Sequence, residues 1–242
     1  MDRTHVIDFH THVLPKMDDG SKSVEMSLEM LHTMRAQGID TVAATPHYYA
    51  RHEDVDRFLE RREHALQRLD EALDAECPQL VTGAEVAFYF GIEQERALDR
   101  LCIGGSRALL LEMPFAAWED YELNAVSSLC LDRGFDVVLA HFERFVPFQK
   151  GGDMAERILS LPVCVQINAE TLLPLLSRGR WLKLFEQGRA HLLGSDAHNL
   201  TNRAPNLGKA REIIAKKSGQ AVLERIDRCG SELIFGSSEE NA

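Results

Sequence analysis

Imidazoles and carboxylates in this chain recur in one setting, directly after a short apolar run. His10 and His12 follow Val6-Ile7-Asp8-Phe9, His47 follows Thr41 to Ala44, and Glu85 follows Leu80 to Ala84. Glu112 follows Ala108 to Leu111, His141 follows Val137 to Ala140, and Asp196 with His198 follows His191 to Leu193. These are the donors that divalent first-row metals accept. The spacings His-x-His and Asp-x-His put both side chains on one side of an extended chain. Asp19, in the turn Met17-Asp18-Asp19-Gly20, adds a further carboxylate. A carboxylate where a buried strand opens into a cleft must be paired, hydrogen-bonded or metal-bound, because leaving it desolvated and alone costs several kcal/mol. A salt bridge is the competing reading for Glu85 and Glu112, and a helix-entry turn for Asp19. His5, His32, His52, His64 and His191 fall on helices, loops or strand starts and are read as having no catalytic part.

Side chains so far apart in sequence can meet only if the strands that carry them end at one place. Short β-branched runs alternate with longer helical patterns along nearly the whole chain, the order expected of β-α units around a parallel sheet. The strand readings are Val6–Phe9, 41–44, 80–84, 108–111, 137–140, 163–167 and 191–193, about seven in all. Helices are expected at 23–37, 53–75, 121–133, 154–159, 172–185, 208–217 and 221–228, the second with a solvated, charge-dense face. In a parallel barrel all strand C-termini share one mouth, where barrel enzymes assemble their sites. No linker or internal repeat divides the chain, so one domain over residues 1–235 is expected, with a flexible tail at 236–242.

Composition narrows the function. Lys+Arg 27 against Asp+Glu 38 gives a net charge of -11, which repels polyanions and argues against nucleic acid and anionic membranes as partners. Any anion must meet a local positive site. Five scattered cysteines without a C-x-x-C pair argue against a disulfide framework or a cysteine zinc site. No apolar run approaches the roughly 18 residues of a membrane span, and the start lacks a signal-peptide core. A cytoplasmic protein without membrane insertion is expected.

The stretches Asp8-Phe9-His10-Thr11-His12, Leu14-Pro15 with Asp18-Asp19-Gly20, Ala44-Thr45-Pro46-His47, Gly83-Ala84-Glu85, Leu111-Glu112, Ala140-His141-Phe142-Glu143-Arg144 and Gly194-Ser195-Asp196-Ala197-His198-Asn199 resemble the polymerase and histidinol phosphatase (PHP) superfamily. Within it they resemble the bacterial metal-dependent tyrosine phosphatases of capsule and exopolysaccharide operons. The resemblance implies an α/β fold, a distorted (β/α)7 TIM-like barrel. It also implies three divalent ions: one held by His10, His12, Glu85 and Asp196, a second by the bridging Glu85 with Glu112 and His141, and a third by Asp19, His47 and His198. Arg144 and Arg203 match family positions that look like phosphate binders. Phe145 stands where the family usually has Tyr, and Tyr48 where another His is common, two departures that bear on the substrate pocket.

Three divalent ions against four carboxylates leave about +2 in the cleft, and the two arginines raise it to about +4, a field that draws in a phosphate dianion. A hydroxide bridging two ions would attack phosphorus, which fits the lack of a Cys-x5-Arg phosphate loop. Mixed imidazole and carboxylate ligation suits Mn, Fe or Zn; Mn is the expectation. The implied substrate is a phosphotyrosine protein, the tyrosine-rich tail of a membrane-associated autokinase; an oligomer is compatible with the sequence. A small-molecule phosphatase such as histidinol phosphatase would share this core. Barrel amidohydrolases also begin with His-x-His but often carry a bridging lysine where Glu112 stands.

Overall fold

The computed structural model describes residues 4–149 and 153–236. Its strands are β1 (Ile7–Thr11), β2 (Thr41–Ala44), β3 (His47–Tyr48), β4 (Gln79–Thr82), β5 (Glu85–Ala87), β6 (Ala108–Glu112), β7 (Asp136–Leu139), β8 (Cys164–Asn168) and β9 (Leu192–Gly194). All pairings are parallel, in the orders β1-β2-β4 and β3-β5-β6-β7-β8-β9.

The strand expected over 80–84 is broken into β4 and β5, and β3 is an unexpected short strand beyond the expected 41–44. Thr45-Pro46 separates β2 from β3, since proline donates nothing to a ladder, and Gly83-Ala84 separates β4 from β5. The backbone bonds Gly83 N to Ala44 O (2.9 Å) and Glu85 N to Pro46 O (3.0 Å) carry the pairing across both breaks. The nine strands are therefore seven staves. The last meets the first: Asp196 N donates to His10 O (2.8 Å) and His12 N to Ala197 O (2.9 Å), which closes a distorted (β/α)7 TIM-like barrel.

Helices α1 (Val24–Ala36), α2 (Val55–Asp70), α3 (Asp120–Leu131), α4 (Phe142–Phe145), α5 (Met154–Leu159), α6 (Arg178–Glu186), α7 (Leu207–Lys217) and α8 (Gln220–Phe235) fill the connections. Ser23 caps α1 by accepting from Met26 N (3.3 Å), and Asp54 caps α2 by accepting from Arg57 N (2.9 Å). Alternation along the strands sorts the core into two layers. Leu109, Leu111, Val137 and Leu139 join helix residues such as Val126, Leu129 and Phe185 in a large apolar cluster. Phe9, Ala43, Leu110, Val138 and Ala140 form a smaller one drawn almost wholly from strands.

Three helix expectations need correction. The second helix stops at Asp70, short of residue 75. The segment expected as a helix over 172–185 is a 3-10 turn at Ala169–Leu172 and then α6, because Pro174 interrupts it and Leu175 and Leu176 lie exposed. The final helix runs on to Phe235, with Gly236 at φ +82° as its cap. The rest of the tail expected at 236–242 lies outside the described residues.

Candidate metal centre

Nearly every stave delivers one chemically competent side chain to the mouth. In β1 the register with β2 slips between Asp8 and Thr11, a bulge that re-aims the strand end. His10 and His12 then turn their Nε2 atoms towards each other at 3.1 Å, and both are fully buried. His141 and Asp196, at the ends of their staves, take left-handed backbone conformations (φ +31° and +53°). Non-glycine residues adopt these at some cost, and such strain clusters where a side chain must be aimed.

Glu85 is the hub. Its Oε2 lies 3.1 Å from His10 Nε2, 3.3 Å from His12 Nε2 and 2.8 Å from His47 Nδ1, while Oε1 lies 2.8 Å from His141 Nε2. Asp196 Oδ1 sits 3.4 Å from both His12 Nε2 and His198 Nδ1 and 3.7 Å from His10 Nε2. Asp19 Oδ1 faces His198 Nε2 (3.3 Å) and His47 Nε2 (3.5 Å), and Glu112 Oε1 faces His141 Nε2 (3.5 Å). All nine expected ligands are thus brought together. Donor atoms within 4.8 Å of one another group as His12, Asp19, His47 and His198; as His10, His12 and Glu85; and as His47, Glu85 and Glu112. His47 faces both ways, so it joins a second group as well as the expected one.

His141 Nε2 is hydrogen-bonded to Glu85 Oε1, but other atoms of the cluster are left without such a bond. Glu85 Oε2, His47 Nδ1 and His198 Nε2 are buried without a hydrogen-bond partner, a costly state for polar atoms. Lone pairs converging from imidazoles and carboxylates are what a divalent cation requires, so the donor set fits metal ions.

Without an ion, charges within the cluster pair with one another. Burial opposes ionisation of Glu85, yet the imidazoles of His10, His12 and His141 hold its carboxyl well below the usual range. Burial would lower His141, but hydrogen bonds to Glu112 and Glu85 push it up to about 10. Burial, with His12 and Arg203 beside it, brings His198 down to about 4, leaving a neutral imidazole. Two arginines reach in from the rim: Arg144 Nη2 lies 2.8 Å from Asp196 Oδ2 and Arg203 Nη2 2.7 Å from Asp196 Oδ1.

The sequence model described as "Capsular polysaccharide synthesis, CpsB/CapC" matches residues 6–235. The chain belongs to the CpsB/CapC family. It is 29% identical to tyrosine-protein phosphatase YwqE of Bacillus subtilis, over 90% of this chain and 87% of the relative. It is 28% identical to tyrosine-protein phosphatase CpsB of Streptococcus pneumoniae, over 88% of this chain and 91% of the relative. A solved structure from the pair YwqE and CpsB, metal-dependent tyrosine phosphatases, superposes with TM-score 0.80 at 25% identity, covering 96% of this chain and 95% of the other. The phosphotriesterase homology protein of Escherichia coli shares the fold at TM-score 0.52 and 12% identity, covering 95% and 99%.

For this member of the CpsB/CapC family, several residues around the ligands escaped the sequence reading. Asp18 accepts from His12 Nδ1 (2.6 Å), which orients that imidazole, and from His47 N (2.9 Å), which holds the His47 backbone. Gln166 Oε1 accepts from His141 N (2.8 Å) and lies 3.3 Å from His10 Nδ1. Gln166 Nε2 donates to Asn168 Oδ1 (2.8 Å), and Asn168 Nδ2 in turn to Asp196 Oδ2 (3.0 Å). Asn168 ends its stave as the ligands end theirs, a signal visible in sequence once amides are counted. Asp8 accepts from Ser195 N (2.8 Å) at the barrel seam. Phe145 and Tyr48 do not shape the pocket, because both are fully buried: Phe145 stacks on Trp118 (5.5 Å, 14°) and Tyr48 packs edge-on to Phe58 (5.2 Å). Of the histidines set aside, His32 pairs with Asp74 at the surface (3.1 Å), whereas His52 lines a cavity with Asp19 and His47.

Proposed function

We propose that this chain is a metal-dependent protein-tyrosine phosphatase, one catalytic unit over residues 1–235, acting in the cytoplasm. The observation that carries it is the Glu85 carboxylate set among four imidazoles, one oxygen without a hydrogen-bond partner, beside a carboxylate gripped by two arginines. The full assignment gives His10, His12, Glu85 and Asp196 to one divalent ion, Glu85, Glu112 and His141 to a second, and Asp19, His47 and His198 to a third, with Mn the expected metal. When bound, such ions supply Lewis acidity and an activated water for attack on phosphorus.

The chain's own residues do the rest. Asp18 accepts a hydrogen bond from His12 Nδ1–H, which fixes the ring with Nε2 facing the cleft. Asn168 and the arginines hold Asp196 in place. The guanidinium forks of Arg144 and Arg203 match the spacing of phosphoryl oxygens and neutralise charge on them. Asp18 is a fifth carboxylate, held well below its usual range by His12 and His47 N against burial. It lowers the expected charge of the loaded cleft to about +3 with both arginines, still enough to attract a dianion in an acidic protein.

The proposed substrate is a phosphotyrosine protein of capsule synthesis, as the CpsB/CapC match and the relatives' names support, and its finer assignment, the tyrosine-rich tail of a membrane-associated autokinase, rests on the sequence resemblance alone. The test is steady-state hydrolysis by metal-stripped protein reconstituted with Mn, Fe, Zn or Mg, on phosphotyrosine peptide, phosphoserine peptide and histidinol phosphate. Metal-dependent preference for phosphotyrosine is expected. Preference for histidinol phosphate would move the function to small-molecule metabolism and overturn the reading.

A further inference from the structure

Two cavities open beside the metal ligands, and they differ in character. One, of ≈ 510 Å³, has charged and polar walls that include Asp18, Asp19, His52, Arg57 and Arg61. The other, of ≈ 480 Å³, is walled mainly by Tyr49, Phe88, Met113, Pro114 and Phe115, with Arg51 its one cation, and touches the ligand set at Glu112. Its two mouth-side rings are fixed by the ligands themselves: Tyr49 stacks on His47 (5.3 Å, 29°), and Phe115 packs against His141 (5.7 Å, 55°).

Its place on the rim is informative. Around the barrel the ligands run His47, Glu85, Glu112, His141, Asp196. Arg144 and Arg203 converge at the Asp196 side, and the apolar cavity lies at the His47 to Glu112 side. A phosphate monoester with its phosphoryl oxygens at the arginines therefore directs its ester group at the cavity. We propose that this cavity is an aryl subsite, in which Tyr49 and Phe115 seat the phenyl ring of a phosphotyrosine and so select aryl over alkyl phosphate monoesters. Its chemistry rests on the phosphatase reading above, but its binding does not.

A flat ring there gains apolar burial and aromatic pairing, whereas a serine side chain is too short to fill the space. Phe115 is 46% exposed, so its truncation spares the core. Calorimetric titration of Mn-loaded protein with phenylphosphonate and methylphosphonate tests the subsite without turnover. The wild type should bind the phenyl compound about tenfold more tightly, Phe115→Ala should bring the ratio close to one, and Phe115→Leu should restore part of it. An unchanged ratio in Phe115→Ala, equal weakening of both compounds, or no binding of either overturns the proposal. Hydrolysis of phosphotyrosine and phosphoserine peptides by the same proteins separates the two ideas. A phenylphosphonate preference without hydrolysis of any ester upholds the subsite and sinks the phosphatase reading. Phosphotyrosine preference that survives Phe115→Ala does the reverse.

Discussion

Gly194 ends β9 at the point where three site-bearing staves crowd together. A methyl group there would stand 2.6 Å from His10 Cβ and 2.9 Å from Gln166 Nε2. Non-bonded carbons settle about 3.5–4.0 Å apart, so His10 or Gln166 must retreat by about 1 Å. Neither can do so alone. His10 O accepts from Asp196 N (2.8 Å) and Gln166 Oε1 from His141 N (2.8 Å), so the shift passes to Asp196 and His141. Overpacking of this kind costs about 1–3 kcal/mol, which in a chain of this size lowers Tm by about 2–12 °C. A displacement of about 1 Å at a reacting centre costs about 100-fold in turnover. Gly179→Ala is the control: it lies in α6 with nothing within 4 Å of the added carbon, and it should raise stability by about 0.5 kcal/mol. Calorimetric Tm, metal retained after gel filtration, and kcat/KM on a phosphotyrosine peptide are the readouts. A Gly194→Ala protein equal to wild type in all three would refute the packing argument.

Glu85→Ala is expected to abolish turnover while circular dichroism reports a native fold; a folded, fully active variant would remove Glu85 from the centre. Arg144→Ala should keep its metal, measured by elemental analysis, and lose about 10–100-fold in kcat/KM on phosphorylated substrates, whereas metal loss would make Arg144 a structural residue. His191 gives a pH signature away from the ligands. Burial, with Arg225 nearby, holds it below the usual imidazole range, and its Nδ1 accepts from Val165 N (3.0 Å), tying β8 to β9. The unfolded chain takes up a proton near pH 6.5 that the folded chain refuses. The contribution of His191 is therefore complete above about pH 6.5 and lost as pH falls towards the folded value. The Tm advantage of wild type over His191→Asn should shrink between pH 7.5 and 5, and a constant gap would contradict this.

The seven staves were legible because β-branched runs and helical periods alternate in register with the barrel, and the candidate ligands other than Asp19 because each follows such a run. Gly83 hid one internal break, since 80–84 reads as a single strand, and the two-residue β3 beyond Pro46 is too short to read, while the pairing jumps both gaps through backbone bonds. The segment 172–185 imitates a helix by its leucine spacing, although Pro174 argued against its first half. Asp18 was passed over for its neighbour because adjacent carboxylates in a turn look alike in sequence; only the fold shows Asp18 turned towards His12 and Asp19 towards His198. Gln166 and Asn168 were missed for another reason. An amide at a strand end announces nothing until the ligands it braces are seen around it.

The seam between the first and last staves has a consequence for how the protein is made. Ser195 N reaches Asp8 across 187 positions of the chain, and the same stretch brings Asp196 to His10. On the ligand assignment proposed above, a nascent chain emerging from the ribosome therefore carries His10, His12 and Glu85 long before Asp196 exists to complete their set. Metal capture at that position would then be a late event of biogenesis, gated by the arrival of the final stave. The cation then acts as a clasp on the finished barrel, so depletion of metal during synthesis should expose newly made chains to proteolysis first at the β1–β9 junction.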